Sequence, residues 1–217
     1  MHFISLADAA PFLDALPRPV LHLKGFTNGL LLPAAPDPLE PALFSVAEVR
    51  ELTSRAVATT LAHVKALDPA TLVWDGDGLQ PDSFAALIPM LARRRAGMQL
   101  VAFRYAHQRK TFEAEWGHAG LRVTVILVPR PAGLGDGDEP DYATLGFEAI
   151  RDTRAEECLC VGGGPVVLDE FRLTRGLQPA PRFAFLDVPR WKSRSEPVGA
   201  LDHSPLMGVV PAEELLS

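Results

Sequence analysis

The sequence has few cysteines, no long apolar run and no excess of basic residues, and each absence excludes a class of protein. Its 217 residues include only two cysteines, which excludes a disulfide-stapled secreted scaffold. No uninterrupted run approaches the roughly 18 apolar residues of a membrane span, so no membrane partner is predicted. The net charge of −6 argues against a nucleic-acid polymer as partner, because binding its phosphates requires clustered Lys and Arg.

The two cysteines, Cys158 and Cys160, fall on one face of a short predicted strand. Their geometry is poor for a mutual disulfide, and this spacing without further cysteines is not a zinc pattern. We expect two buried thiols in a protein of the reducing cytoplasm. The first residues lack a basic region followed by a long apolar one, so no signal peptide is predicted.

Short apolar segments alternate with segments of helical periodicity along most of the chain. We predict strands at 20–23, 71–74, 100–105, 122–128, 158–161 and 183–188. We predict helices at 2–16, 45–67, 82–92, 110–116, 142–154 and 166–175. This alternation predicts a Rossmann-like α/β fold, a three-layer sandwich with a mainly parallel central sheet of about six strands. We assign residues 1–191 to this single domain and 192–217 to a proline-containing C-terminal tail.

A glycine run follows the predicted strand at 158–161. Gly162, Gly163 and Gly164 come directly after the strand, and Pro165 stands where the first residue of a helix is expected. Free backbone N–H groups and the positive end of a helix dipole would meet there, which suits a phosphate or a carboxylate. The alternative interpretation is that the glycines only let the strand and the helix pack closely.

Two more polar loops follow predicted strands. In a parallel sheet such loops leave the same edge, and ligands bind there, near the point where the strand order reverses. We therefore predict one composite site, for which the strands beginning at Val20, Thr71 and Cys158 must be adjacent or central. The first loop, 24–29, contributes Gly25, Thr27, Asn28 and Gly29, and the second, 75–78, contributes Asp75 and Asp77.

The carboxylates Asp75 and Asp77 form a pattern that suits phosphate chemistry. A carboxylate pair after a buried strand can hold Mg²⁺, or supply a nucleophile and an acid for phosphoryl transfer. Residues 73–79, Val-Trp-Asp-Gly-Asp-Gly-Leu, resemble the first motif of the haloacid-dehalogenase-like phosphohydrolases. The resemblance implies that Asp75 is the nucleophile and Asp77 the general acid–base. The alternative is a solvated Asp-Gly-Asp-Gly turn.

A second resemblance covers residues 157–188. Strand, glycine run, helix with an acidic first turn and a further strand resemble the nucleotide-binding core of the SLOG superfamily. That group includes the lysine-decarboxylase-like phosphoribohydrolases and nucleotide-sensing modules. The resemblance implies that the glycine run cradles phosphate and that Asp169 or Glu170 lies near the ribose. Pro165 and Val166 replace the Gly and Thr of the family's P-G-G-x-G-T-x-x-E pattern.

Three functional hypotheses follow from these patterns. In the first, the chain binds a phosphorylated small molecule, a nucleotide or nucleotide-sugar, as a SLOG-like sensor or glycosidic-bond hydrolase. In the second, it is a Mg²⁺-dependent phosphohydrolase that uses Asp75 and Asp77. In the third, it is a non-enzymatic interaction protein whose C-terminal tail makes the contact. A homodimer is compatible with all three.

Overall fold

The computed structural model describes residues 1–25, 61–62, 64–75, 97–117, 122–133, 142–161, 172–186 and 209–211. Eight strands in these residues form one sheet: β1 (His2–Ser5), β2 (Val20–Gly25), β3 (Thr71–Trp74), β4 (Gln99–Tyr105), β5 (Val123–Val128), β6 (Glu157–Val161), β7 (Arg182–Leu186) and β8 (Val209–Pro211). The helices are α1 (Ala10–Asp14), α2 (Arg109–Trp116) and α3 (Tyr142–Thr153). Residues 61–62, 64–67 and 172–174 are also helical, and none of the described helices is long and apolar enough to cross a membrane.

The strand order is β1-β5-β4-β3-β2-β6-β7-β8. Neighbours from β1 to β7 pair in parallel, and β8 pairs antiparallel with β7. The chain moves outward from β2 through β3, β4 and β5, and then returns to the other side of β2 with β6 and β7. The predicted Rossmann-like α/β fold with a mainly parallel sheet is therefore confirmed.

Two strands were not predicted from the sequence. Residues 2–16 have the apolar spacing of a helix, but His2–Ser5 form β1 and only residues 10–14 form an α-helix. Phe3 and Ile4 are both half-buried. They pack on opposite faces of the sheet, each against a different core cluster, as successive residues of a strand do. Pairing with β5 thus outweighs the helical periodicity. The other unexpected strand, β8, lies in the segment assigned to the tail, and the two raise the strand number from about six to eight.

The central strands are apolar on both faces because helices cover both. On one face, Leu13 of α1 and Leu145 of α3 pack against Val20, Val73 and Val101 of the sheet. On the other face, Val64 and two aromatic residues of α2 pack against alternate strand residues, among them Leu21, Leu72 and Leu100. Three layers result. They are stabilised mainly by the burial of apolar surface, which contributes about 25 cal/mol per Å².

Candidate site at the carboxyl ends of the central strands

The strand order reverses between β2 and β6, at the centre of the sheet. Lys24 pairs in register with Cys160, and Gly25 with Val161, so these two strands end at the same level. In open α/β sheets ligands bind in the crevice that forms beyond the carboxyl ends of two such strands. Lys24 and Gly25, predicted as the start of a ligand loop, are the last residues of β2. The rest of that loop, 26–29, and the predicted loop 162–165 lie outside the described residues.

A buried ion pair lies next to the crevice. Lys24 Nζ is 2.7 Å from Asp75 Oδ2, and the two side chains are 0% and 1% exposed. The contact follows from the register, because Val20 of β2 pairs with Thr71 of β3, which brings Lys24 opposite the residue that follows Trp74. In a sheet covered on both faces, a lysine and an aspartate at these positions must pair with each other or with another polar group.

His22 belongs to the same cluster. It lies two residues before Lys24 on the same face of β2, it is fully buried, and its Nε2 is 3.5 Å from Asp75 Oδ2. Asp75 Oδ1 has no hydrogen-bond partner among the described residues. The carboxylate therefore faces two potential cations through one oxygen, and its second oxygen is left to accept a further hydrogen bond.

The electrostatic balance keeps Asp75 ionised. Burial by itself would raise the pKa of this carboxyl, but the charge of Lys24 lowers it, and hydrogen bonding and charge from His22 lower it further. The lowering effects are stronger, so the pKa of Asp75 lies well below its usual range. At neutral pH the cluster thus contains a carboxylate and an ammonium group in a region that excludes water.

Arg104 adds a second buried cation at the same edge of the sheet. It is 5% exposed and lies on the opposite face of the sheet from the ion pair. Its Nη1 donates a 2.9 Å hydrogen bond to the backbone carbonyl of Asp75, and its guanidinium carbon lies 4.7 Å from the centre of the Phe112 ring. These two contacts hold the guanidinium beside the carboxyl end of β3.

The structure confirms the predicted adjacency of the three strands that begin near Val20, Thr71 and Cys158. They are neighbours in the order β3-β2-β6. Of the predicted site residues, Asp75 and the backbone of Gly25 are described. The remaining ones lie outside the described residues and stay predictions: Thr27, Asn28, Gly29, Asp77, Gly162, Gly163, Gly164, Asp169 and Glu170.

The described residues only partly fit the Mg²⁺ site that the haloacid-dehalogenase resemblance implies. One oxygen of Asp75 contacts the ammonium group of Lys24, and the other is the single carboxylate oxygen that Asp75 can still offer to a cation. The described part of the chain contains no group of three His, Cys, Asp or Glu side chains that could hold a metal. The second predicted ligand, Asp77, lies outside the described residues, so the metal pair stays a prediction.

Sequence reasoning named Asp75 as a site residue and did not name the three buried polar side chains around it. His22, Lys24 and Arg104 each lie in a strand that is otherwise apolar, and a polar residue in such a strand signals a buried contact. That signal identifies the residues but not their partner. The partner depends on which strands are neighbours.

A surface groove of the described residues lies elsewhere. It has a volume of about 470 Å³ and is lined by residues of α1 and of the end of α3, including Leu13, Asp14, Arg151 and Arg154. Because α3 leads into the first residue of β6, this groove lies at the amino ends of the strands. Ligand sites of open α/β sheets form at the opposite edge, so we place the candidate site at the buried cluster.

Comparison of the sequence with protein-family models and with curated proteins found no match.

Proposed function

We propose that the chain binds a phosphorylated small molecule, a nucleotide or nucleotide-sugar, in the crevice beyond the carboxyl ends of β2 and β6. One observation carries the proposal: the strand order reverses beside the carboxyl end of β2, where the buried lysine Lys24 lies. A phosphate in the crevice would share the ammonium group of Lys24 with Asp75, in a region of low dielectric where charges interact more strongly than in water. The glycine run that follows β6 would supply backbone N–H groups to the phosphate.

The SLOG resemblance sets the class of reaction that this site would perform. A sensor would bind the nucleotide without turnover. A hydrolase would cleave the glycosidic bond, with Asp169 or Glu170 near the ribose. We propose nucleotide binding as the property common to a sensor and a hydrolase. Incubation of the purified protein with nucleoside monophosphates, followed by chromatography for released base, distinguishes a hydrolase from a sensor.

The binding test removes the buried ion pair as a unit. We expect Lys24→Met combined with Asp75→Leu to weaken nucleotide binding by at least about tenfold, or about 1.4 kcal/mol. Replacing both charges avoids the unpaired buried charge that a single substitution would leave. Native mass spectrometry of the freshly purified parent identifies a retained nucleotide, and calorimetry with that nucleotide measures both proteins.

The control is a partly exposed ion pair at the amino ends of β2 and β6, the two strands that border the crevice. Arg18 Nε lies 2.6 Å from Glu156 Oε1, and these residues precede β2 and β6. Arg18→Gln combined with Glu156→Gln should leave nucleotide affinity unchanged. Equal affinity of the Lys24/Asp75 double variant and the parent would contradict the proposal, as would a parent that binds no nucleotide. If the double variant does not fold, amide hydrogen exchange of the parent is measured with and without nucleotide. We expect slower exchange at residues 24–25 and 161 when nucleotide is bound, and unchanged exchange would count against the crevice.

A further inference from the structure

A group of buried N–H donors lies on the opposite face of the sheet from the Lys24–Asp75 pair. Trp74 ends β3 and Trp116 ends α2, their side chains are 0% and 3% exposed, and their ring centroids are 5.6 Å apart with a tilt of 47°. Phe112, one helical turn before Trp116, stacks on it at 5.9 Å, and it also carries the Arg104 guanidinium. We call Trp74, Arg104 and Trp116 the donor cluster.

The two indole groups are unusual among buried polar groups. An indole N–H is a donor only, and a buried tryptophan usually finds an acceptor for it. Neither Trp74 Nε1 nor Trp116 Nε1 has a hydrogen-bond partner among the residues that the structure describes. A buried donor without an acceptor is destabilising, and two of them in contacting rings call for a shared explanation.

The chemistry of the cluster defines what would satisfy it. Its polar groups are all donors, two indole N–H groups and one guanidinium, and Arg104 carries a positive charge that its contacts with Phe112 and the Asp75 carbonyl hold in place. Arg104 is the diagonal neighbour of Trp74, because Trp74 pairs with Ala102 on the adjacent strand. Donors of this kind, with a fixed cation and aromatic walls, complement an oxyanion.

We propose that the donor cluster binds an oxyanion, a phosphate or carboxylate group, at the carboxyl ends of β3 and β4. This site is separate from the proposed nucleotide crevice, which lies between β2 and β6. Strands are spaced about 4.8 Å apart, so the two sites lie within roughly 15 Å of each other along the same edge. A ligand with two anionic groups would reach both, while a small anion would occupy the cluster alone.

Indole NMR of the parent protein tests the proposal directly. The chain contains three tryptophans, so an ¹⁵N-labelled sample gives three Nε1–H signals, which Trp74→Phe and Trp116→Phe assign. On titration with inorganic phosphate, and separately with acetate, we expect the signals of Trp74 and Trp116 to move downfield and to saturate. Sodium chloride at equal ionic strength should not reproduce the shift. A response to phosphate alone identifies a phosphate site, and a response to both identifies a general oxyanion site.

Matched arginine variants test the role of the cation. Arg104 and Arg109 each lie over a phenylalanine ring, Arg109 at 4.4 Å from the centre of Phe3, but only Arg104 belongs to the donor cluster. Arg104→Gln should weaken the saturable response at least about tenfold, and Arg109→Gln should leave it unchanged. Equal responses in both variants would refute the assignment of Arg104. If Arg104→Gln does not fold, Arg104→Lys, which keeps the charge but loses the planar fork, should show a weaker response than the parent.

Other outcomes overturn the proposal without any variant. Indole protons at upfield positions that no anion moves would show that the N–H groups point at aromatic faces. Contacts of these protons with water, again without an anion response, would show that buried water alone satisfies them.

The donor-cluster proposal and the nucleotide-crevice proposal can fail independently. A parent that binds nucleotide without movement of the indole signals loses only the donor cluster, and one whose indoles respond to phosphate but that binds no nucleotide loses only the crevice.

Discussion

Asp75 shows how one residue can serve both stability and a site. The desolvation of a buried carboxylate is costly, and a single lysine repays it only at close range and with good geometry. The 2.7 Å contact with Lys24 meets that condition, and the backbone carbonyl of Asp75 in turn holds Arg104. The same residue therefore ties together β2, β3 and β4 at the edge where the proposed ligands bind.

The lowered pKa of Asp75 predicts how stability depends on pH. A carboxyl with a lowered folded-state pKa contributes stability above its unfolded value, here 3.8, and that contribution is lost as the pH falls toward the folded value. We expect Asp75→Asn to cost about 3 kcal/mol or more near neutral pH, because it leaves Lys24 without its carboxylate. The difference from the parent should be constant above about pH 5 and shrink below about pH 4.

Urea unfolding of both proteins at a series of pH values measures this difference. Asp14→Asn is the control, because Asp14 is 65% exposed in a surface pair with Arg154, and its loss should change stability by no more than about 0.5 kcal/mol. A constant difference between parent and Asp75→Asn down to about pH 3 would show that Asp75 is not the titrating group.

At the scale of a single element, the C-terminus of α3 ends in a motif that requires a left-handed residue. Ala155 N–H donates to the Ile150 carbonyl and Arg154 N–H to the Arg151 carbonyl, the two bonds of a Schellman motif. Arg154 adopts the left-handed conformation that this motif needs, with φ of +51°. Glycine usually occupies that position because it has no Cβ, so this helix end includes a residue under backbone strain.

Substitution of Arg154 separates the backbone effect from the charge effect. Arg154→Gly and Arg154→Ala both lose the side chain and its exposed pair with Asp14, but only glycine relieves the left-handed strain. We expect Arg154→Gly to be more stable than Arg154→Ala by about 1 kcal/mol in urea unfolding. Equal stabilities, or a more stable alanine variant, would show that the helix end relaxes around any residue.

At the scale of the whole molecule, the sheet carries a gradient from centre to edge. β2 has parallel neighbours on both sides, and its residues 20–24 are all buried. β1 ends the described strand order, pairs only with β5 among the described strands, and has an exposed His2 and Ser5. Local opening free energy follows such differences in pairing and burial.

We therefore expect amide hydrogen exchange to be slowest in β2, β3 and β6 and markedly faster in β1. Hydrogen–deuterium exchange with peptide-level mass spectrometry measures all four strands in one experiment. The neighbour of β1, β5, is the internal control, because it is paired on both sides and should resemble the central strands. Protection of β1 equal to that of β2 would contradict the gradient and indicate a further partner for the β1 edge.

The elements of the central sheet were accessible from local pattern. β3 was predicted at 71–74 and is found at Thr71–Trp74, because a short apolar run between Pro69 and Asp75 leaves little choice of bounds. α3 was predicted to within one residue of its end. β1 was not, because a four-residue edge strand has too few residues to establish an alternation, and it forms only when β5 is present to pair with it.

By itself, the sequence determined that helices and strands alternate, that the sheet is mainly parallel, and that Asp75 follows a buried strand. These properties depend on neighbours within a few residues. Only the tertiary structure decided that Lys24 and Asp75, 51 residues apart, share a hydrogen bond, and that Trp74 contacts Trp116. Such contacts depend on strand order and register, and a shift of one residue in register would move Lys24 to the other face of the sheet. No local pattern contains that information, because it arises from the packing of the whole sheet.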